Sequence, residues 1–298
     1  MPLVATLITD PSNPVLSADL AADAARKISE AGPQWLAEGV ACDLPLKDGL
    51  TLEEASDTIA VALDDRPIDI VVQDAEGRRK RLLIADMDST MIRQECIDEL
   101  AAEAGFYDKV AAITKRAMNG EIAFEPAMRE RVALLKGLDL SIVDRVLENR
   151  VTLTPGGREL IATMKQNGAY TALVSGGFTL FTSRVAGELG FDEDRANVLN
   201  HQNGKLDGTV AEPVLGQQSK IDALEELTAK LDLSVDDALA VGDGANDLGM
   251  LRLAGSGVAL HAKPVVAAEA KIRIDHGDLT ALLYIQGYSR NEFVGAET

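Results

Sequence analysis

Two aspartates, Asp86 and Asp88, stand one residue apart in the stretch 81–95, RLLIADMDSTMIRQE. Four apolar residues, Leu82 to Ala85, lead directly into the first, so the pair sits where a buried strand ends. Carboxylates this close repel, and one resists ionising unless a cation or a reaction offsets the cost. Further reactive groups recur in the same setting. Ser175-Gly176-Gly177 follows a second apolar run, Lys220 lies near the start of a helical pattern, and GDGAND (242–247) follows a third run. Taken singly, an Asp or Ser after a strand is most often a helix cap, and a lone lysine is a solvated one. Taken together they fit phosphoryl transfer. A hard divalent cation such as Mg²⁺ takes oxygen ligands, which Asp86 and Asp243 can supply. One carboxylate can attack phosphorus to form an aspartyl-phosphate. The other can protonate the leaving alkoxide and then activate water. Ser175, the amides after it and Lys220 can hold the phosphoryl oxygens.

These groups meet only if strands and helices alternate, because open parallel sheets bind ligands at the carboxyl ends of their strands. The chain from 79 onward alternates in this way: AYTALVSGG reads as a strand, FTLFTSRVAGELG as a helix, QQSKIDALEELTAKLDL as a helix and DALAVGDGANDLGML as strand, turn and helix. ANVLNHQNGKLDGTVAE reads as a hairpin about Asn203-Gly204. Between about 95 and 150 four helical patterns with Gly or Asn stops interrupt the alternation as an insert. Residues 1–78 form their own strand–helix series, in which QWLAEGVACDLPL reads as one strand. The expected fold is α/β: a Rossmann-like parallel sheet core (79–298) with an inserted helical cap, preceded by a small α+β domain (1–78).

Composition narrows the partners. A net charge of −19 over 298 residues argues against nucleic acid and anionic membranes. Two cysteines, Cys42 and Cys96, lack metal-type spacing and suit a reducing compartment. No basic n-region opens the chain and no run is long enough to span a bilayer, so the reading is a cytoplasmic protein with no signal peptide. The three histidines are scattered and are assigned no role; Trp35 and Cys96 read as packing residues.

DMDST, SGG, Lys220 and GDGAND, in that order, resemble the signature of the haloacid dehalogenase superfamily of phosphatases, over about residues 80–290. The resemblance implies Asp86 as nucleophile and Asp88 as general acid/base. It implies Mg²⁺ held by Asp86, Asp243 and the Asp88 carbonyl, with Asp247 behind them. It places the phosphate on Ser175, Gly176, Gly177 and Lys220, with Asn246 orienting the substrate. The 95–150 insert matches the superfamily's mobile cap.

The cap must select the substrate. Glu95 and Arg131, set across a pocket, complement an ammonium and a carboxylate. With a phosphate site, they describe a phosphorylated amino acid. DMDSTMIRQECIDELA and FEPAMRERVALLKGL resemble the branch of the superfamily that hydrolyses O-phospho-L-serine, the last step of serine biosynthesis. That resemblance puts Glu95 on the amino group, Arg131 on the carboxylate, and Met118 and Phe124 over the substrate. Arg129 is read as solvated or paired with Glu125, and Lys115, Arg116, Arg129, Arg131 and Lys220 as making the mouth locally positive. The first 78 residues are similar in pattern to small regulatory (ACT-like) modules; a homodimerising appendage fits equally. Two other readings stay open: a phosphatase or phosphotransferase for another small phosphate such as phosphohomoserine, and a non-catalytic amino-acid sensor.

Overall fold

A computed structural model describes residues 2–295. In chain order the elements begin β1 (Leu3–Thr9), α1 (Ala18–Ile28), β2 (Gln34–Ala37), β3 (Ala41–Pro45), α2 (Leu52–Leu63), β4 (Ile68–Asp74) and β5 (Leu82–Ala85). Four helices follow: α3 (Cys96–Glu103), α4 (Tyr107–Met118), α5 (Phe124–Ala133) and α6 (Ser141–Asn149). Next come α7 (Gly157–Gln166), β6 (Tyr170–Phe178), α8 (Thr179–Leu189), β7 (Glu193–Asn197), β8 (Leu199–Gln202), β9 (Lys205–Val210) and α9 (Gln217–Lys230). The chain ends with β10 (Ala238–Gly242), α10 (Leu248–Leu253), β11 (Ser256–Leu260), α11 (Pro264–Ala267), β12 (Ile272–Ile274) and α12 (Ala281–Tyr284).

The residues fall into two compact units. One holds 2–80, 155–167 and 272–295; the other holds 81–154 and 168–271. In the first unit an antiparallel sheet runs β2-β3-β1-β4. The single strand expected at 34–46 is instead two, β2 and β3, because the chain reverses at Gly39 with φ 73°. α1 starts on Ser17, whose hydroxyl accepts the Leu20 N–H, and α2 on a Thr51–Glu54 capping box. The helices bury Ala21, Ala24, Ile28 and Ile59 against Leu7, Cys42 and Leu44 of the sheet. Polar side chains elsewhere on these strands tie down the C-terminal segment. Asp69 accepts the N–H groups of Asp275, His276 and Gly277, and Gln73 donates to the Ile285 carbonyl at 2.6 Å. Residues 155–167 and 272–295, which the sequence pattern assigned to the second domain, thus cluster with the first.

In the second unit five parallel strands run β11-β10-β5-β6-β7. β5, β10 and β11 are buried along their whole length, as expected of a parallel sheet covered on both faces. Leu82, Ile84, Ala172, Val174 and Ala240 pack against Ala223, Leu224 and Leu227 of α9 and Met250 and Leu251 of α10. The hairpin is β8–β9, turning at Asn203 and Gly204 with φ 51° and 75°. Helices α3–α6 form the insert between β5 and β6. Strand order is what builds the site: β5 lies between β10 and β6, so Asp86 is flanked by the Asp243 turn on one side and the Ser175 turn on the other.

Candidate active site

After β5 the chain makes an irregular turn, Met87–Met91, in which Ser89 adopts the left-handed region at φ 55°. Such backbone costs on the order of 1 kcal/mol and persists only when held. Ser89 N–H donates to the Gln94 carbonyl at 3.1 Å and its hydroxyl to Glu95 Oε1 at 2.8 Å, which binds the turn to the first cap residue.

Asp86 is buried, and its Oδ1 receives the Met87 N–H at 2.8 Å and Lys220 Nζ at 2.7 Å. Lys220, also buried, reaches Asp247 Oδ1 at 2.5 Å. The other Asp247 oxygen accepts the N–H groups of Asp243 and Gly244 at 3.2 and 3.0 Å. Asp243 is held between the Thr90 hydroxyl at 3.3 Å and Lys263 Nζ at 2.6 Å. Asp88 Oδ1 accepts the Cys96 N–H at 3.1 Å, so the cysteine read as a packing residue also anchors the Asp88 carboxylate through its backbone.

The electrostatics follow from this crowding. Burial pushes the Asp86 carboxyl well above the usual carboxylate range; Asp247 adds to the rise and Lys220 opposes it. Burial raises Asp88 to about 6 against its bonds to Cys96, and Asp243 to about 7 against the pull of Lys263. Glu95 rises to about 7 through burial and the nearby Asp88. For Lys220 burial works against the charge, but Asp247 and Asp86 more than offset it and raise its pKa.

Ligand atoms of Asp86, Asp243 and Asp247 all lie within 4.8 Å of one another. With Asp88 they make four carboxylates against two lysines, Lys220 and Lys263, so full ionisation leaves two uncompensated negative charges. An all-oxygen donor set with that excess fits a hard divalent cation. The carboxylates of the opening motif are therefore balanced partly by lysines, and such an ion would supply the remaining charge.

A small cavity of about 30 Å³ opens from this cluster. Asp86, Asp88, Ser175, Gly176, Gly177, Asp243 and Asn246 line one end, and Glu95, Met118, Phe124, Met128 and Arg131 line the cap side. Of the predicted residues only Lys220 and Asp247 lie behind that surface, where they hold Asp86 and the 243–247 turn. The glycines allow close approach. A Cβ on Gly177 would stand 2.8 Å from Asp88 Oδ2, and one on Gly176 would stand 2.7 Å from the Phe124 ring. Ser175 Oγ accepts the Gly177 N–H at 2.8 Å, which fixes the turn. Arg131 is buried: its Nε donates to Ala127 O, its Nη1 to Thr114 Oγ1, and its Nη2 has no partner. Asn246 Oδ1 is likewise buried and unpaired. Unpaired buried polar atoms are costly, and both residues line the cavity.

Arg129 pairs with Glu125 and Glu212, and Arg116 with Glu121. The positive mouth expected from five basic residues narrows to Arg131 at the cavity, because Arg116 and Arg129 are paired with glutamates, Lys115 is turned to solvent, and Lys220 lies behind the lining on Asp86 and Asp247. Lys263 was missed. It lies twenty positions after Asp243 in an unremarkable loop, and only folding returns it, its N–H donating to the Asp243 carbonyl at 2.9 Å.

Residues 83–252 match the haloacid dehalogenase-like hydrolase family. The phosphoserine phosphatase of Streptomyces coelicolor is 41% identical over 254 residues, 85% of this chain, which spans only 60% of that relative's length. The phosphoserine phosphatase of a Polaromonas species is 42% identical over 221 residues, covering 72% of this chain and 94% of that protein. A solved phospho-aspartyl intermediate analogue of phosphoserine phosphatase superposes with a TM-score of 0.66 at 40% identity, over 69% of this chain and 98% of that one. The chain belongs to the haloacid dehalogenase-like hydrolases and, within them, to the phosphoserine phosphatase family.

Proposed function

We propose that this protein hydrolyses O-phospho-L-serine to L-serine and phosphate in the presence of Mg²⁺, through an aspartyl-phosphate on Asp86. One observation carries the reading: a single cavity has Asp86 and Asp88 at one end, and a carboxylate, Glu95, with an unpaired guanidinium nitrogen, Arg131 Nη2, toward the cap. Phosphate, ammonium and carboxylate each find a complementary group. Lys220 and the Met87 N–H fix the Asp86 carboxylate for attack on phosphorus. As the P–O bond to serine breaks, Asp88 gives its proton to the departing alkoxide; a pKa near 6 keeps part of it protonated near neutrality. Asp88 then takes a proton from water, which attacks the phosphorus and frees Asp86. Ser175 and the Gly176 and Gly177 backbone hold the phosphoryl oxygens, Asn246 orients them, and Met118 and Phe124 exclude water. Mg²⁺, held by Asp86, Asp243 and the Asp88 carbonyl with Asp247 behind, would neutralise phosphoryl charge.

The test is phosphate release from O-phospho-L-serine with Mg²⁺ and with EDTA, beside phosphothreonine, phosphohomoserine, p-nitrophenyl phosphate and an Asp86→Asn control. Mg²⁺-dependent release favouring phosphoserine and lost in Asp86→Asn supports the proposal. Preference for phosphohomoserine would move the substrate, and no release from any ester would leave an amino-acid sensor. We read the first unit as a regulatory or dimerising module. The cytoplasmic reading rests on two buried, unbridged cysteines; among the described residues no helix is long and apolar enough to cross a membrane.

A further inference from the structure

Arg131 is not held by its own helix alone. Its Nη1 donates at 2.9 Å to Thr114 Oγ1 on α4, and the Thr114 hydroxyl lies 2.6 Å from Asp98 Oδ1 on α3. All three side chains are buried, at 2%, 2% and 8% exposure for Arg131, Thr114 and Asp98. A hydroxyl has one proton and two lone pairs, whereas an ionised carboxylate only accepts. The Val110 carbonyl also lies 3.1 Å from this hydroxyl, but the shorter, charged contact to Asp98 takes the proton, which turns a lone pair toward Arg131. Nε is taken by Ala127 O at 3.1 Å on α5 itself. With Nε and Nη1 committed, the guanidinium plane is set, and the unpaired Nη2 is left to a group in the cavity that Arg131 lines. A long arginine loses rotamer freedom when it binds, and a guanidinium already held has less to lose.

We infer that Thr114 and Asp98 are positioning residues for carboxylate recognition: the Asp98–Thr114–Arg131 chain across three cap helices presents Arg131 to the substrate's carboxylate. The inference rests on the phosphoserine reading and goes beyond it by assigning the discrimination to two residues outside the cavity lining.

O-Phosphoethanolamine keeps the phosphate and ammonium of phosphoserine and lacks only the carboxylate, so the ratio of kcat/KM for the two esters reports on Arg131. Thr114→Val keeps shape and removes the hydroxyl. It should lower that ratio about tenfold, the worth of one hydrogen bond to a charged group, chiefly by raising KM for phosphoserine. Turnover of phosphoethanolamine should hold steady, Thr114→Ser should restore the ratio, and Asp98→Asn should lower it in the same direction. A wild-type enzyme that prefers phosphoserine with a Thr114→Val ratio unchanged would overturn the inference and leave the substrate reading standing. Equal loss on both esters would overturn it as well, since a cap that merely unpacks harms both. A wild-type enzyme with no preference for the carboxylate-bearing ester would remove the substrate reading and the inference together.

Discussion

Replacing Glu95 by glutamine removes a charge and almost nothing else. The amide is isosteric, and its oxygen can still accept the Ser89 hydroxyl that binds Glu95 Oε1 at 2.8 Å. What disappears is the anionic partner for a substrate ammonium. A hydrogen bond to a charged group contributes about 1.5–3 kcal/mol, so kcat/KM for phosphoserine should fall about ten- to a hundredfold at pH 8. p-Nitrophenyl phosphate has no ammonium, and its wild-type to variant ratio should stay close to one. The pH dependence sharpens the test. Glu95 is raised to about 7 by burial and by Asp88, so its carboxyl is neutral below that pH and charged above it. The wild-type advantage should therefore be full at pH 8 and vanish toward pH 5, where protonated glutamate and glutamine become equivalent. Because kcat/KM reports ionisation of the free enzyme and the substrate's own titration cancels in the ratio, the midpoint should fall near 7. A ratio that stays constant across this range, or an equal loss on both esters, would refute the assignment of Glu95 to the ammonium.

Other perturbations reach different parts of the site. A Cβ at residue 177 would stand 2.8 Å from Asp88 Oδ2 and 3.1 Å from Ser175 Oγ. Gly177→Ala should lower kcat by about a hundredfold, the scale of an ångström of misplacement, with little change in thermal midpoint; both are read on one preparation. Saturating Mg²⁺ at about 100 times its Kd should stabilise the wild type by about 2.7 kcal/mol. Asp243→Asn should lose most of that gain in thermal melts run with MgCl₂ and with EDTA, and an undiminished gain would place the ion elsewhere. Metal ligands bind deprotonated and Asp243 is raised to about 7, so the wild-type gain should be larger at pH 8 than at pH 6. A Cβ at residue 257, in β11, would run into the Leu251 carbonyl oxygen in the backbone of α10. Gly257→Ala should cost about 3 kcal/mol, measured by the denaturation midpoint, since backbone cannot move aside as a side chain can.

The sequence by itself determined the reactive groups and the ends of the strands that carry them. Leu82–Ala85 running into Asp86, the apolar run before Ser175 and the one before Asp243 are local signals. A buried parallel strand must be continuously apolar, and its ligand groups must follow its carboxyl end. Helical periodicity likewise marked the insert that became α3–α6. Only the tertiary structure decided which strands are neighbours, and so that Asp86 lies between the other two motifs. It alone brought Lys263 to Asp243, and Thr114 and Asp98 to Arg131. It also gave residues 272–295 to the first unit through Asp69 and Gln73. The reason is physical: periodicity and capping act over a few residues and leave a trace in the order of the chain. A side-chain hydrogen bond or ion pair between distant residues depends on how elements pack, and packing leaves no mark at either residue alone.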